Sequence, residues 1–154
     1  MTRMNPNRIE QEITIAAPVE QVWATITEPR HVGVWFGTGT PTTMDFRPGG
    51  TMVFDHGPHG EIHARIERIE PRRLFSWRWT TVGPPAAPPT EDNSTLVEFT
   101  LHAEETGTRL RVTETGFDTL AAPAAARHER YKANTGGWAD KLAEIDAYVQ
   151  RLPA

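Results

Sequence analysis

Residues 124–151 read AAARHERYKANTGGWADKLAEIDAYVQR. Within and just beyond them, Tyr131, Thr135, Trp138, Leu142, Ile145, Val149 and Leu152 step by four and three alternately. That spacing predicts one helix from about Ala124 to Arg151 with a single apolar stripe. At ~1.5 Å per residue it is roughly 40 Å long. Gly136 and Gly137 fall inside it, each costing a helix about 1 kcal/mol relative to alanine. A close approach by backbone or ligand is therefore expected at that point. A helix this long with one apolar stripe needs one broad apolar surface to lie on.

The preceding residues supply that surface. Val97, Phe99 and Leu101 alternate with Glu98, Thr100 and His102, and Leu110, Val112 and Glu114 share a face after the turn Glu105-Thr106-Gly107. Phe75, Trp77 and Trp79 share another face, opposite Ser76, Arg78 and Thr80. Further upstream, Met44 and Phe46, then Met52, Phe54 and His56, then Ile62, Ala64 and Ile66 keep the same period of two, divided by Arg47-Pro48-Gly49-Gly50 and Gly57-Pro58-His59-Gly60. Period two with turn residues between runs reads as antiparallel strands joined by hairpins. Four prolines between Val82 and Thr90 exclude a central strand there and mark a long hairpin loop, which is free to fold over a cavity mouth. Ile9, Ile13 and Ile15 form an earlier strand. Between it and the rest, Val19, Val22, Trp23 and Ile26 mark a helix entered through Pro18. Glu28-Pro29 ends that helix and starts a second short one carrying Val32, Trp35 and Phe36. The order is strand, two helices, six strands, long helix. The expected fold is α+β: a curved seven-stranded antiparallel sheet wrapped round the C-terminal helix, with the two short helices closing one end. Residues 1–8 are expected to be a flexible tail and 9–152 a single domain.

Composition narrows the functional classes. The chain has 154 residues, 16 Lys+Arg against 20 Asp+Glu, and a formal charge of −4. Such a chain has no net attraction for phosphate backbones, so nucleic acid is not an expected partner. There are no cysteines, which excludes disulfides, thiolate nucleophiles and Cys-ligated metal. No apolar stretch has the length of a membrane span, and Met1 to Gln11 lacks the apolar core of a signal peptide. A soluble, cytoplasmic protein without membrane partners is expected. Five tryptophans in one small domain point to a heavily aromatic core or an aromatic-lined pocket.

Chemistry-bearing groups are few. Ser76 and Ser94 are the only serines and neither lies in a Gly-x-Ser-x-Gly turn; no Ser/His/Asp set is apparent, and no phosphate-binding loop. His56, His59, His63 and Glu61 fall within eight residues, but period two sets His59, Glu61 and His63 on the outer face. No metal or cofactor is expected from them. Two polar residues follow apolar ones on the inner face: Glu114 after Val112, and His56 after Phe54. A carboxyl in an apolar pocket takes a raised pKa and serves as acid, base or polar anchor; at a strand end it reaches water instead.

Eight short motifs now fall into an order: Ala17-Pro18-Val19-Glu20-Gln21-Val22-Trp23, Trp35-Phe36, Arg47-Pro48-Gly49-Gly50, His59-Gly60-Glu61-Ile62, Glu70-Pro71, Leu74-Phe75-Ser76-Trp77, Thr115-Gly116-Phe117 and Gly137-Trp138. Together, over about residues 9 to 150, they resemble the helix-grip superfamily of START-like ligand-binding domains. Within it the chain is similar to the branch of the heat-shock-protein activator domain and the calicheamicin-resistance protein. The resemblance implies a cavity between sheet and long helix, in a group of hydrophobic-ligand carriers, polyketide cyclases, chaperone activators and resistance proteins. It implies binding of a hydrophobic, aromatic small molecule. Trp35, Phe36, Met44, Phe54, Phe75, Trp77, Trp79, Phe99, Phe117, Trp138 and Leu142 would line the site, with His56 and Glu114 as polar contacts. Two alternatives stay open: a cyclase- or lyase-type enzyme using Glu114 or His56, and a chaperone-linked interaction module. A homodimer also stays open, because sheet edges need cover.

Overall fold

The computed structural model describes residues 7–153; the expected tail at residues 1–6 lies outside the described residues. Twelve elements follow the predicted order. Strand β1 (Arg8–Ile15) leads into helices α1 (Val19–Thr27) and α2 (Pro29–Trp35). Strands β2 (Thr43–Met44), β3 (Thr51–Asp55), β4 (Glu61–Glu70), β5 (Leu74–Thr80), β6 (Ser94–Glu104) and β7 (Gly107–Thr115) come next, and α3 (Ala124–Arg151) last. Two short 3₁₀ turns, Gly57–His59 and Phe117–Thr119, complete the set. The strands form one antiparallel sheet in the order β1-β7-β6-β5-β4-β3-β2. This is the helix-grip α+β architecture: the sheet curls round α3, whose Tyr131, Trp138, Leu142, Ile145 and Val149 are buried against it. No helix among the described residues is long and apolar enough to cross a membrane.

Alternation carries through to packing. Phe75, Trp77, Val97, Phe99, Leu110 and Val112 are all buried. Their rings contact edge-on or tilted, with Trp77 5.2 Å from Phe75 and 5.4 Å from Phe99 between centroids, the offsets that aromatic quadrupoles prefer. The elbow between α1 and α2 closes one end. Trp35 donates its indole N–H to the Thr25 carbonyl at 2.8 Å and sets its ring edge-on to Phe99. One turn earlier on the same face of α2, the Tyr148 hydroxyl and His31 Nδ1 lie 2.5 Å apart and dock the elbow on α3.

Three local features differ from the sequence expectation. Residue 8 is not tail: β1 begins at Arg8, opposite Thr115, and the Asn7 side chain accepts from the backbone N–H groups of Gly116 and Asp118. Strand β2 stops at Met44 and leaves Phe46 exposed, because the backbone turns at once: Asp45 accepts from Arg47 N–H, and a Cβ on Gly50 would sit 1.9 Å from the Asp45 carbonyl oxygen. Strand β4 carries a register shift between Ile66, opposite Trp77, and Arg68, opposite Ser76. Glu67 is the extra residue of a bulge, which bends the strand and tightens its twist.

Candidate functional site

The space between sheet and α3 is filled along most of its length. Phe54, Phe75, Trp77, Phe99 and Phe117 are each at most 1% exposed and belong to the packed core. Leu142 is core as well, Trp35 is held beneath α2, and Met44 is half-buried at the sheet edge. A cleft of about 460 Å³ remains at one end, where β5 runs out beside the middle of α3. The sheet side of the cleft is Trp79, Thr80, Thr81 and Ile62, and Phe36 with His56 borders it as well. Helix α3 presents Arg130, Ala133, Asn134, Gly137, Trp138 and Lys141, and the proline-rich loop supplies Gly83 and Pro85 at the rim. A second hollow, of about 360 Å³, lies across α3 between Trp35, Tyr148 and Arg151 and has no aromatic wall of comparable extent.

The wall of the first cleft is built on Glu114. The side chain is fully buried and does not line the cleft. Its Oε1 accepts the Trp138 indole N–H at 2.8 Å, and its Oε2 accepts that of Trp79 at 2.9 Å. Asn134 Nδ2 donates to both oxygens, at 3.2 and 3.1 Å, and the Thr95 hydroxyl donates to Oε2 at 2.5 Å. One carboxyl thus fixes a strand indole and a helix indole together. The two rings stack at 5.6 Å with 23° between planes. Only a side chain with two acceptor oxygens serves both indoles; an amide would turn its NH₂ toward one of them.

Burial pushes the Glu114 carboxyl above its ordinary range, opposed by the hydrogen bonds from Thr95, Trp79, Trp138 and Asn134. The network accepts either state. A protonated Oε2 donates to Thr95, whose hydroxyl lies 2.8 Å from that of Thr81, and Thr81 in turn donates to the Trp79 carbonyl at 3.1 Å. The sign of the pH dependence follows. A carboxyl whose folded pKa is raised contributes stability that is complete below the ordinary value of 4.5 and is lost as pH rises through the folded value. Glu10 and Glu104, lowered by Arg8 and Arg109, have the opposite sign. The stability margin of the wild type over Glu114→Gln is therefore expected to be widest in acid and to narrow as pH rises. Urea midpoints measured from pH 4 to pH 8 check this; a constant margin would mean the carboxyl keeps its ordinary pKa.

Phe36 extends the aromatic surface. Its ring lies 5.6 Å from Trp79 and is stacked on His56 at 5.8 Å and 24°. The Lys141 ammonium sits 4.9 Å from the Phe36 centroid and 3.1 Å from Glu144. His56 follows β3 at an exposed position on the cleft, outside the sheet's interior. His63 and Glu61 approach only to 4.0 Å, and the His59 side chain lies outside the described residues. No group of three or more His, Asp or Glu side chains is gathered as a metal centre among the described residues.

Of the residues singled out in the sequence, Phe36, His56, Trp79 and Trp138 meet at the cleft, and Glu114 stands directly behind its wall. Thr81, Asn134, Arg130 and Lys141 were not foreseen. Positions 130, 134, 137 and 141 repeat the four-three step of the apolar stripe one residue round the helix, the signal that marks a second lining face. Of the two approaches expected at the paired glycines, backbone or ligand, the first is absent: a Cβ on Gly136 or Gly137 meets nothing within 4 Å. Gly137 opens onto the cleft instead. The proline-rich loop is tied down. His63 N–H donates to the Pro85 carbonyl, the Thr80 hydroxyl to the Ala87 carbonyl and Asn93 Nδ2 to the Pro88 carbonyl, so it forms the cleft rim.

A curved antiparallel sheet gripping a long C-terminal helix, with a cleft at its open end, defines a helix-grip protein of the START-like class. Residues 16–150 match the family described as Activator of Hsp90 ATPase homolog 1-like protein, and the chain belongs to that family. Solved structures share the fold. Protein MLL2253 from Mesorhizobium loti is 20% identical with a TM-score of 0.76, over 96% of this chain and 99% of that one. The protein described as the Aha1 dimer from Colwellia psychrerythraea is 17% identical, TM-score 0.73, over 94% and 96%. CalU16 from Micromonospora echinospora is 22% identical, TM-score 0.65, over 94% and 75%. No match is found among curated proteins.

Proposed function

We propose that the chain binds a flat, hydrophobic, aromatic small molecule in the cleft between β5 and α3. The observation that carries this is the Trp79–Trp138 stack, which is fixed from behind by one buried carboxyl and borders the cleft together with the side-chain-free Gly137. Rigid indole faces bind flat rings with little ordering cost. Against a cyclase or lyase that uses Glu114 stands the state of that residue: both oxygens are taken up by wall donors, which leaves His56 as the titratable candidate of that reading on the cleft surface. An interaction module is less well supported, since Val34 and Phe46 are the only large hydrophobics exposed among the described residues, far short of an apolar docking patch.

The test is titration with the uncharged probe N-phenyl-1-naphthylamine, following probe emission and tryptophan quenching together. Saturable binding at one site per chain, weakened at least tenfold in Trp138→Ala, is expected. Absence of a saturable response would remove the cleft as a ligand site. Native mass spectrometry of the same sample reads the oligomeric state, for which the dimeric Colwellia relative supports a homodimer.

A further inference from the structure

The chain as a whole is acidic, with a formal charge of −4, yet the cleft is not. Its lining contains two permanent cations, Arg130 and Lys141, and no aspartate or glutamate. The two cations differ in what they already do. Lys141 is paired with Glu144 and lies over the Phe36 ring. Arg130 has no ion-pair partner among the described residues, although carboxylates take up Arg8, Arg65, Arg68, Arg73, Arg78, Arg109 and Arg111 elsewhere on the surface. Arg130 also sits one helical turn before Asn134 and two before Gly137 and Trp138, on the same face of α3. It lines the same cleft as Trp79 and Trp138.

We propose that the ligand is an aromatic anion, a flat ring system whose carboxylate, sulfonate or ionised phenol pairs with Arg130 at the mouth of the cleft. This rests on the aromatic-ligand reading above and names its chemical class. A guanidinium presents a planar fork of donors that matches an acidic group in two-point contact. Arg130 is itself exposed, so the pairing is felt most at low salt. The acid nearest the wall, Glu114, is withdrawn behind it and hydrogen-bonded on both oxygens, and burial favours its neutral form, which lowers the repulsion an anion meets.

Two probes with the same ring system separate this proposal from its premise: uncharged N-phenyl-1-naphthylamine and its sulfonated counterpart, 1-anilinonaphthalene-8-sulfonate. Both are expected to bind, the sulfonate about tenfold more tightly at low salt, with that advantage falling as salt is raised from 0.05 to 0.5 M. Arg130→Gln is expected to erase the advantage, bringing the ratio of the two affinities to about one. Gly137→Leu is expected to weaken both probes. Equal affinities in wild type, a sulfonate preference that survives Arg130→Gln, or sulfonate binding that ignores Gly137→Leu would each overturn the pairing, while binding of the neutral probe keeps the cleft itself. If neither probe binds, the cleft reading falls and this one with it.

Discussion

Leucine at position 137 is expected to block the cleft and leave the fold intact, an unusual outcome for replacing a glycine by a branched side chain. Gly137 lies in the middle of α3 and is not in a left-handed conformation, and a Cβ built on it meets nothing within 4 Å. The backbone is already that of any helical residue. Leucine gains somewhat less than the roughly 0.8–1 kcal/mol of helix propensity by which alanine exceeds glycine. Because Gly137 lines the cleft, the added isobutyl group is expected to take up space there. The expected result for Gly137→Leu is an unchanged or raised melting temperature with affinity for N-phenyl-1-naphthylamine lowered more than tenfold. Gly136→Ala is the control. That residue is equally free of contacts, exposed and absent from the lining. It should raise the melting temperature by about 2–4 °C with affinity unchanged. A leucine variant that binds like wild type would mean the probe sits elsewhere.

The largest loss of stability is expected from Glu114→Leu. Taken alone, a buried carboxyl is a liability, and exchanging buried charge for apolar surface is often neutral or stabilising. Here the partners decide the sign. Leucine leaves the buried Trp79 and Trp138 indole N–H groups facing hydrocarbon, at roughly 1–3 kcal/mol for each, and takes a partner from the half-buried Asn134 amide on the cleft. Thr95 escapes, because its hydroxyl still has Thr81 at 2.8 Å. A loss on the order of 3–5 kcal/mol is expected, a large part of a domain's total. Glu114→Gln should fall between, since its carbonyl satisfies one indole while its NH₂ opposes the other. Urea unfolding at constant m reads the order wild type, Gln, Leu. A leucine variant as stable as wild type would show that desolvating the carboxyl costs as much as its four donors return.

Period and parity made much of this legible. The four-three step of 131–152 placed α3, and the alternation of 97–114 placed Glu114 on the inner face beside Val112. Parity, however, says which face a residue takes and nothing about how far along the strand the helix crosses. Phe75, Trp77 and Trp79 share one face, but only Trp79, at the end of β5, reaches the cleft; the other two lie under the elbow and sheet aromatics. The bulge at Glu67 was visible only as Ile66 and Ile69 standing three apart where two is the rule. The paired glycines announced a need for space, which close packing and an open cleft satisfy equally well. Glu114 was seen to face inward, but its four donors come from β5, β6 and α3, 19 to 35 positions away, a convergence no local pattern contains.

The sheet order has a consequence for how the chain is made. Strand β1 pairs with β7 alone, and its partners, from Thr108 opposite Ile15 to Thr115 opposite Arg8, are translated roughly a hundred positions later. Until then the first strand leaves the ribosome without a neighbour. The inner aromatic face assembled by β3 to β6 emerges before the helix that covers it. Contacts so distant in sequence make for slow closure, and the uncovered tryptophan-rich face is the surface a nascent chain exposes to chaperones and to its own copies.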